Sequence, residues 1–154
     1  MLKANLIMVL VNKTALTKEY LNNRITGSPI VICCNTGRVE KKISDAGYVR
    51  TKLNVYLSKK LLEFDTIDRP MKAEETAREI LRKKESIYVI DFEMLFDPRY
   101  KVDPLKLFCE LAMYNNVAVQ WPGEYNDGKL IYAKPEDPDY HEFDCNAYQI
   151  RIVQ

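Results

Sequence analysis

The sequence has very little histidine and none of the cysteine spacings that bind zinc. His141 is the only histidine, and the cysteines at positions 33, 34, 109 and 145 form no C-x-x-C pair. Cys33 and Cys34 are adjacent and alternate across a predicted strand, so they cannot easily share one tetrahedral metal face. We therefore expect free, buried thiols in a reducing compartment and no metal site. Catalysis by a Ser–His–Asp or Cys–His group has little support, because His141 lies in a polar run and is expected to be solvated.

Excess charge and long apolar runs are missing as well. The 23 basic and 22 acidic residues leave a net charge of +1, so no global field attracts nucleic acid or a membrane. The apolar run at residues 6–11 is too short for a signal peptide or a membrane span. These absences predict a cytoplasmic protein with no membrane partner, and the length predicts one domain, residues 1–154. Basic residues do cluster in the first half, which keeps a nucleic-acid partner as an alternative.

The phosphate-binding string G-x-x-x-x-G-K-[ST] is absent too, but strand and helix patterns are strong. Three apolar runs, residues 30–34, 87–91 and 117–121, are typical of strands buried on both faces. An Asp-Pro pair at 103–104 marks the start of a helix between the last two runs, and a strand–helix–strand unit implies parallel strands. Asn-Asp-Gly at 126–128 predicts a hairpin. The sequence thus predicts a three-layer α/β fold with a mostly parallel sheet and a C-terminal antiparallel hairpin.

Weaker patterns supply the remaining elements. Residues 53–57 alternate between apolar and polar side chains and are interpreted as a strand, after which Ser58 caps a short helix over 59–64. Further expected elements are helices over 13–25, 39–46 and 73–81 and a final strand over 147–153.

Asp91 ends a predicted strand and is the first candidate site residue. It stands in the string Y-V-I-D-F-E, which is similar to a Walker B sequence. A carboxylate at a strand tip can hold Mg²⁺ beside a phosphate, and Glu93 could polarise a water molecule. Many α/β strands end in aspartate, so a carboxylate that only caps a loop is the alternative.

The turn at residues 35–38 is the second candidate. A phosphate site needs several N–H groups that converge at a helix N-terminus, and Thr36, Gly37 and Arg38 lie where such a helix begins. The turn offers one glycine and an arginine where a full phosphate loop has two glycines, a lysine and a hydroxyl. We expect it to bind a simple anion at most, and a plain β–α turn is the alternative.

Four aromatic residues surround the predicted hairpin and form the third candidate. They are Trp121, Tyr125, Tyr132 and Tyr140. Aromatic residues beside a Gly/Pro-rich hairpin can bind a partner or stack on a base. Packing of the C-terminal part of the chain is the alternative, because aromatic side chains are mostly buried.

Several short motifs in the second half occur in the order and spacing of one known family. They are Y-V-I-D (88–91), L-F-D-P (95–98), D-P-L-K-L (103–107), W-P-G (121–123), L-I-Y-A-K-P (130–135) and D-P-D-Y (137–140). With them, residues 86–140 resemble the small P-loop protein family of type III bacteriophage-exclusion (BREX) anti-phage systems, and L-S-K-K-L-L (57–62) extends the likeness. The family's G-x-x-G-x-G-K-T loop would fall at residues 35–42, where this chain has N-T-G-R-V-E-K-K. The family's histidine in H-P-E-Y is Asp137 here.

The resemblance implies a P-loop-NTPase-like fold and a role in phage defence. Because the phosphate loop is degenerate, it implies an accessory or scaffold subunit that has lost nucleotide hydrolysis and needs no cofactor. Its partners would be the other subunits of a defence complex, with a homo-oligomer as a further alternative. A functional ATPase of the same system, with ATP and Mg²⁺ bound by an atypical loop, is the second interpretation. A nucleic-acid-binding subunit is the third.

Overall fold

The computed structural model describes residues 8–34 and 37–154; Asn35 and Thr36 of the candidate turn lie outside the described residues. The strands within this part of the chain are β1 (Val9–Val11), β2 (Ile30–Ile32), β3 (Val49–Lys52), β4 (Ser86–Ile90), β5 (Asn116–Gln120), β6 (Glu124–Asn126), β7 (Lys129–Tyr132), β8 (His141–Asp144) and β9 (Arg151–Val153). The α-helices are α1 (Lys18–Asn22), α2 (Gly37–Asp45), α3 (Leu53–Leu61), α4 (Arg69–Leu81) and α5 (Pro104–Leu111).

Six strands form one sheet in the order β1-β9-β2-β5-β4-β3, and every neighbouring pair is parallel. The predicted strands β2, β4 and β5 are its adjacent inner strands, so the prediction of a mostly parallel sheet with these three at its centre is confirmed. A separate antiparallel sheet has the order β6-β7-β8. No helix in residues 8–34 or 37–154 is long and apolar enough to cross a bilayer.

Alternating side chains of the inner strands fill two cores on opposite faces of the large sheet. On β4, Ile87 and Val89 belong to the core that α3, α4 and α5 cover. Tyr88 and Ile90 belong to the other core, which α1 and α2 cover. Because successive strand residues point to opposite faces, a strand covered by helices on both sides is apolar throughout. Helix, sheet and helix thus form the three expected layers.

Residues 53–57 are helical, and the prediction of a strand there was wrong. They form the start of α3, and the helix expected over 59–64 is the continuation of the same element. Leu53, Leu57 and Leu61 are buried with a spacing of four, whereas Val55 is 54% exposed. The alternation of apolar and polar side chains over residues 53–57 fits both a strand and a helix. Only Leu61, four residues after Leu57, extends the helical pattern. The strand at this place is the preceding, mostly exposed β3.

Smaller differences concern the ends of the chain. The helix expected over 13–25 consists of a 3₁₀ turn, Lys13–Ala15, and the short helix α1, which the Thr17 hydroxyl caps. The final strand begins only at Arg151, because Cys145–Ala147 form another 3₁₀ turn. The hairpin is confirmed: β6 and β7 pair, and the turn residues Asp127 and Gly128 have positive φ angles of 47° and 79°, as a two-residue hairpin turn of this kind requires.

Candidate functional site

The carboxyl ends of the inner parallel strands lie at one edge of the large sheet. The segments that follow β2, β5 and β4 begin there with Cys33, Trp121 and Asp91. The helix after β2 packs on one face of the sheet and the helix after β4 on the other. Ligands of open α/β sheets bind at such an edge, in the crevice where neighbouring connections diverge to opposite faces. This edge is therefore the first place to look for a site.

A network of side chains lies at the carboxyl ends of the neighbouring strands β2 and β5. The Gln120 amide donates from Nε2 to the main-chain oxygens of Ile32 and Cys34, both at 3.3 Å. The Tyr88 hydroxyl donates to Gln120 Oε1 at 2.9 Å and lies 3.3 Å from Oε1 of Glu40 on α2. Burial, and then the Glu40 carboxylate, raise the pKa of Tyr88, so its hydroxyl keeps its proton and donates. The end of β2 is thus tied to β5, β4 and α2 by protein groups.

A cavity of about 460 Å³ lies beside the start of α2, and it is rich in cations. Its lining includes Lys13, Arg38 and Lys42, together with Thr14, Gly37 and Val39. Lys42 Nζ donates to the main-chain oxygen of Lys13 at 3.3 Å. The first N–H groups of an α-helix have no partner within the helix and favour anions. The structure therefore brings Gly37 and Arg38 of the predicted anion site together with two lysines.

Asp91 does not contact this cavity. Its backbone has φ = 48°, its side chain is exposed, and its main-chain oxygen accepts from the Asn54 N–H at 2.7 Å. Among the described residues no group donates to its carboxylate. Aspartate tolerates the left-handed conformation better than most residues, so Asp91 can end β4 and redirect the chain. This placement agrees with the loop-capping alternative, and metal binding by Asp91 stays a prediction.

Glu93, which the sequence analysis assigned to water activation, holds another side chain. Its Oε2 accepts from Asn54 Nδ2 at 2.7 Å, and Asn54 Oδ1 accepts from the Met94 N–H at 3.1 Å. Asn54 thereby joins the start of α3 to the 3₁₀ turn Glu93–Phe96. One oxygen of the Glu93 carboxylate thus helps to position two elements, and activation of a water molecule by Glu93 stays a prediction.

The hairpin aromatics are mainly packing residues. Trp121 is only 3% exposed and contacts Phe92, Phe96 and Phe143 at centroid distances of 5.5–6.1 Å. Its indole N–H donates to the Ile131 oxygen at 3.0 Å. The ring is therefore not available to a partner, and the packing alternative describes Trp121.

The three tyrosines of this region are half-buried. Tyr132 stacks on Phe96 at 3.9 Å with an interplanar angle of 8°. The Tyr125 hydroxyl accepts from the Gly128 N–H at 3.2 Å. Tyr140 has no ring contact of this kind among the described residues. Partner binding by Tyr125, Tyr132 and Tyr140 stays a prediction, and Tyr140 is the one least engaged in packing.

The thiols and the histidine provide no catalytic or metal centre in the described residues. All four cysteines are free, and no group of three metal-ligating side chains occurs there. Burial raises the pKa of Cys33 and of Cys109 from 9.0 to about 12, so both are neutral thiols at neutral pH. His141 is half-buried and stacks on Phe143, so its imidazole is less solvated than expected.

The Glu40–Tyr88–Gln120 network was not predicted from the sequence. A polar Tyr88 inside an apolar strand and a Gln120 at a strand end were the available signals, because buried polar groups require partners. Glu40 lies on a helix 48 residues away from Tyr88 and gave no signal of its own.

The fold and this edge define an α/β protein with a parallel six-stranded sheet and an appended antiparallel sheet. Comparisons with protein-family models, with curated proteins and with solved structures find no match.

Proposed function

We propose that the chain is an accessory or scaffold subunit of a bacterial anti-phage complex of the bacteriophage-exclusion type, on a P-loop-like core that does not hydrolyse nucleotide. The hydrogen bonds of the Gln120 amide support the second half of this proposal, the absence of nucleotide hydrolysis. A phosphate loop needs the space and the free N–H groups after the first inner strand. Here the Gln120 amide donates to the main-chain oxygens of Ile32 and Cys34 at the end of that strand, and the Tyr88 hydroxyl donates to Gln120.

Two observations support a subunit that binds other proteins. The first is the resemblance of residues 86–140 to the defence family. The second is a set of exposed apolar side chains at the turn between α3 and α4: Leu62, Ile67 and Met71 are 67%, 86% and 75% exposed. Apolar patches on a protein surface mark interaction sites, and these three exposed side chains follow one another within ten residues of the chain.

Calorimetric titration with ATP and Mg²⁺ tests the loss of nucleotide chemistry. We expect no binding in the low micromolar range and no release of phosphate, because the turn after the first inner strand lacks the second glycine, the lysine and the hydroxyl of a full phosphate loop. A low-micromolar dissociation constant would overturn this part of the proposal.

Affinity purification of the tagged chain from its native cells tests the other part, the role as a subunit. We expect a large ATPase or a methyltransferase encoded beside it among the co-purified proteins; purification of the chain alone would contradict the subunit role.

Tyr140→Ala tests whether the C-terminal hairpin is the docking surface. We expect weaker association with the co-purified partner and an unchanged melting temperature, because interface tyrosines contribute on the order of 2 kcal/mol and Tyr140 has little packing to lose. Tyr132→Ala is the matched control, and it should lower the melting temperature because the ring stacks on Phe96. If Tyr140→Ala retains the partner fully, the hairpin is not the docking surface.

A functional ATP-binding protein with an atypical loop is the second candidate. It is favoured by the cavity that Lys13, Arg38 and Lys42 line at the start of α2, where cations and helix N–H groups suit phosphate. Under this candidate, ATP raises the melting temperature of the wild-type protein and Arg38→Gln abolishes the rise. Lys18→Gln, on an exposed position of α1, is the control.

A further inference from the structure

A second basic groove lies at the opposite side of the sheet, beside the edge strand β3. Its volume is about 390 Å³. It is formed by three elements that are far apart in the sequence: β3, the outer side of α3, and the end of α4 with the residues that follow it. Its basic lining residues are Arg50, Lys59, Lys60, Lys83 and Lys84. The whole chain has a net charge of only +1, so this concentration of positive charge is local and is produced by the fold.

Little negative charge offsets these cations. Glu63 is the only acidic residue in the lining, and it pairs with Lys60 at 3.7 Å. Among the described residues Lys59, Lys83 and Lys84 have no ion-pair partner. Three exposed ammonium groups are therefore free to meet a ligand of opposite charge.

An aromatic ring and two apolar side chains lie among the cations. Tyr56 is 53% exposed, and Val49 and Ile80 complete the apolar part of the lining. Tyr56, Lys59 and Lys60 are spaced i, i+3, i+4 on α3, which places the ring and both ammonium groups on one helix face. A flat ring beside several cations is the combination that binds single-stranded nucleic acid: the cations follow the phosphates, and a base stacks on the ring.

We propose that this groove binds single-stranded nucleic acid, with Lys59, Lys83 and Lys84 on the phosphates and Tyr56 as the stacking platform. An extended acidic peptide added to β3 is less well supported. That strand carries Arg50 and Lys52, and charged residues on an edge strand oppose strand addition. The proposal goes beyond the subunit role and does not rest on it.

Fluorescence anisotropy with a labelled oligothymidine of about 20 nucleotides tests the proposal. We expect binding by the full chain that weakens as salt rises from about 50 to about 200 mM, since phosphate contacts release counterions. The triple variant Lys59→Gln/Lys83→Gln/Lys84→Gln should bind about tenfold more weakly and reduce the salt slope by about 2. The matched control Lys18→Gln/Lys106→Gln/Lys129→Gln, which changes the net charge equally at exposed positions elsewhere, should bind like the wild type.

A second pair of variants separates base stacking from attraction to any polyanion. Tyr56→Leu should weaken binding about fivefold, whereas Tyr114→Leu, at a tyrosine that is 79% exposed elsewhere, should not. Polyglutamate of similar length should compete poorly. Three results would overturn the proposal: no binding at about 50 mM salt, equal losses in the groove and control variants, or polyglutamate binding as tight as that of the oligonucleotide. Equal melting temperatures of all variants exclude unfolding as the cause of a loss.

Discussion

Position 123 requires glycine because the main chain of β7 occupies the space that a side chain would need. A Cβ atom at this position would lie 1.8 Å from the Ile131 oxygen and 2.9 Å from its carbonyl carbon. The same oxygen accepts the hydrogen bond of the Trp121 indole. The W-P-G string therefore joins the end of β5 to the small sheet, with the tryptophan as donor and the glycine as the point of close approach.

We predict that Gly123→Ala lowers the free energy of unfolding by about 2 kcal/mol or more. The added methyl group must push β7 away, which strains the backbone and breaks the Trp121 hydrogen bond. Gly37→Ala is the control, because a Cβ atom there meets no atom of the described residues within 4 Å beyond its chain neighbours and its own helix. Urea denaturation of both variants measures the difference. Equal stabilities would show that the hairpin can move without cost and that the glycine is not required.

At the scale of elements, the predictable part of the fold was the part buried on both sides. The strands β2, β4 and β5 are continuous apolar runs because each has a helix layer on either face. The strands β1 and β3 lie at the sheet edges and are largely exposed. The sequence V-R-T-K of β3 has no apolar pattern, whereas β1 is apolar and lies in the run 6–11, which was weighed only as a signal peptide or membrane span; neither was predicted as a strand. The helix α3 was misread because Leu53 and Leu57 satisfy both the two-residue and the helical period.

The candidate site was predictable only one residue at a time. Gly37 and Arg38 were identified from their place after an apolar strand, but Lys13 joins them through the pairing of β1 with β9, which the sequence did not indicate. The Gln120 network likewise depends on which strands are neighbours. Sheet order is a property of long-range packing, so contacts that depend on it are not visible in local patterns.

Two substitutions in α3 distinguish the helix from the strand that the alternation suggested. In a strand, Val55 and Leu57 would share one face, whereas in the helix only Leu57 is buried. We predict that Leu57→Ala lowers the free energy of unfolding by about 2–5 kcal/mol. Val55→Ala should change it by less than about 0.5 kcal/mol. Denaturant titrations of the two variants provide the measurement, and similar large losses in both would contradict the helical packing of this segment.

For the molecule as a whole, the two helix layers bury titratable groups that carry no charge at neutral pH. Burial raises the pKa of Cys33 and Cys109 from 9.0 to about 12 and that of Tyr48 from 10.0 to about 12. The Tyr48 hydroxyl donates to the Leu21 oxygen at 2.5 Å, and this bond needs the protonated form. These groups lie on both sides of the sheet, so their ionisation opposes folding of both cores.

We predict that the stability falls as pH rises above 9.0. In the unfolded chain the Cys33 and Cys109 thiols lose their protons above that pH, while the folded protein keeps them up to about 12. The folded state then binds more protons than the unfolded state, and the free energy of unfolding decreases by up to about 1.4 kcal/mol per pH unit for each thiol. Below pH 9.0 this contribution is complete. Urea titrations under reducing conditions, from neutral pH to pH above 9.0, measure the slope.

The double variant Cys33→Ala/Cys109→Ala separates the thiols from other alkaline effects. It removes two of the groups whose pKa burial raises in the folded protein, so its stability should depend less steeply on pH just above 9.0. The comparison uses the slope and not the absolute stability, because alanine also removes packing at neutral pH. Identical slopes in the variant and the wild type would mean that both thiols ionise in the folded protein as they do in the unfolded chain, and that the layers over β2 and α5 admit water.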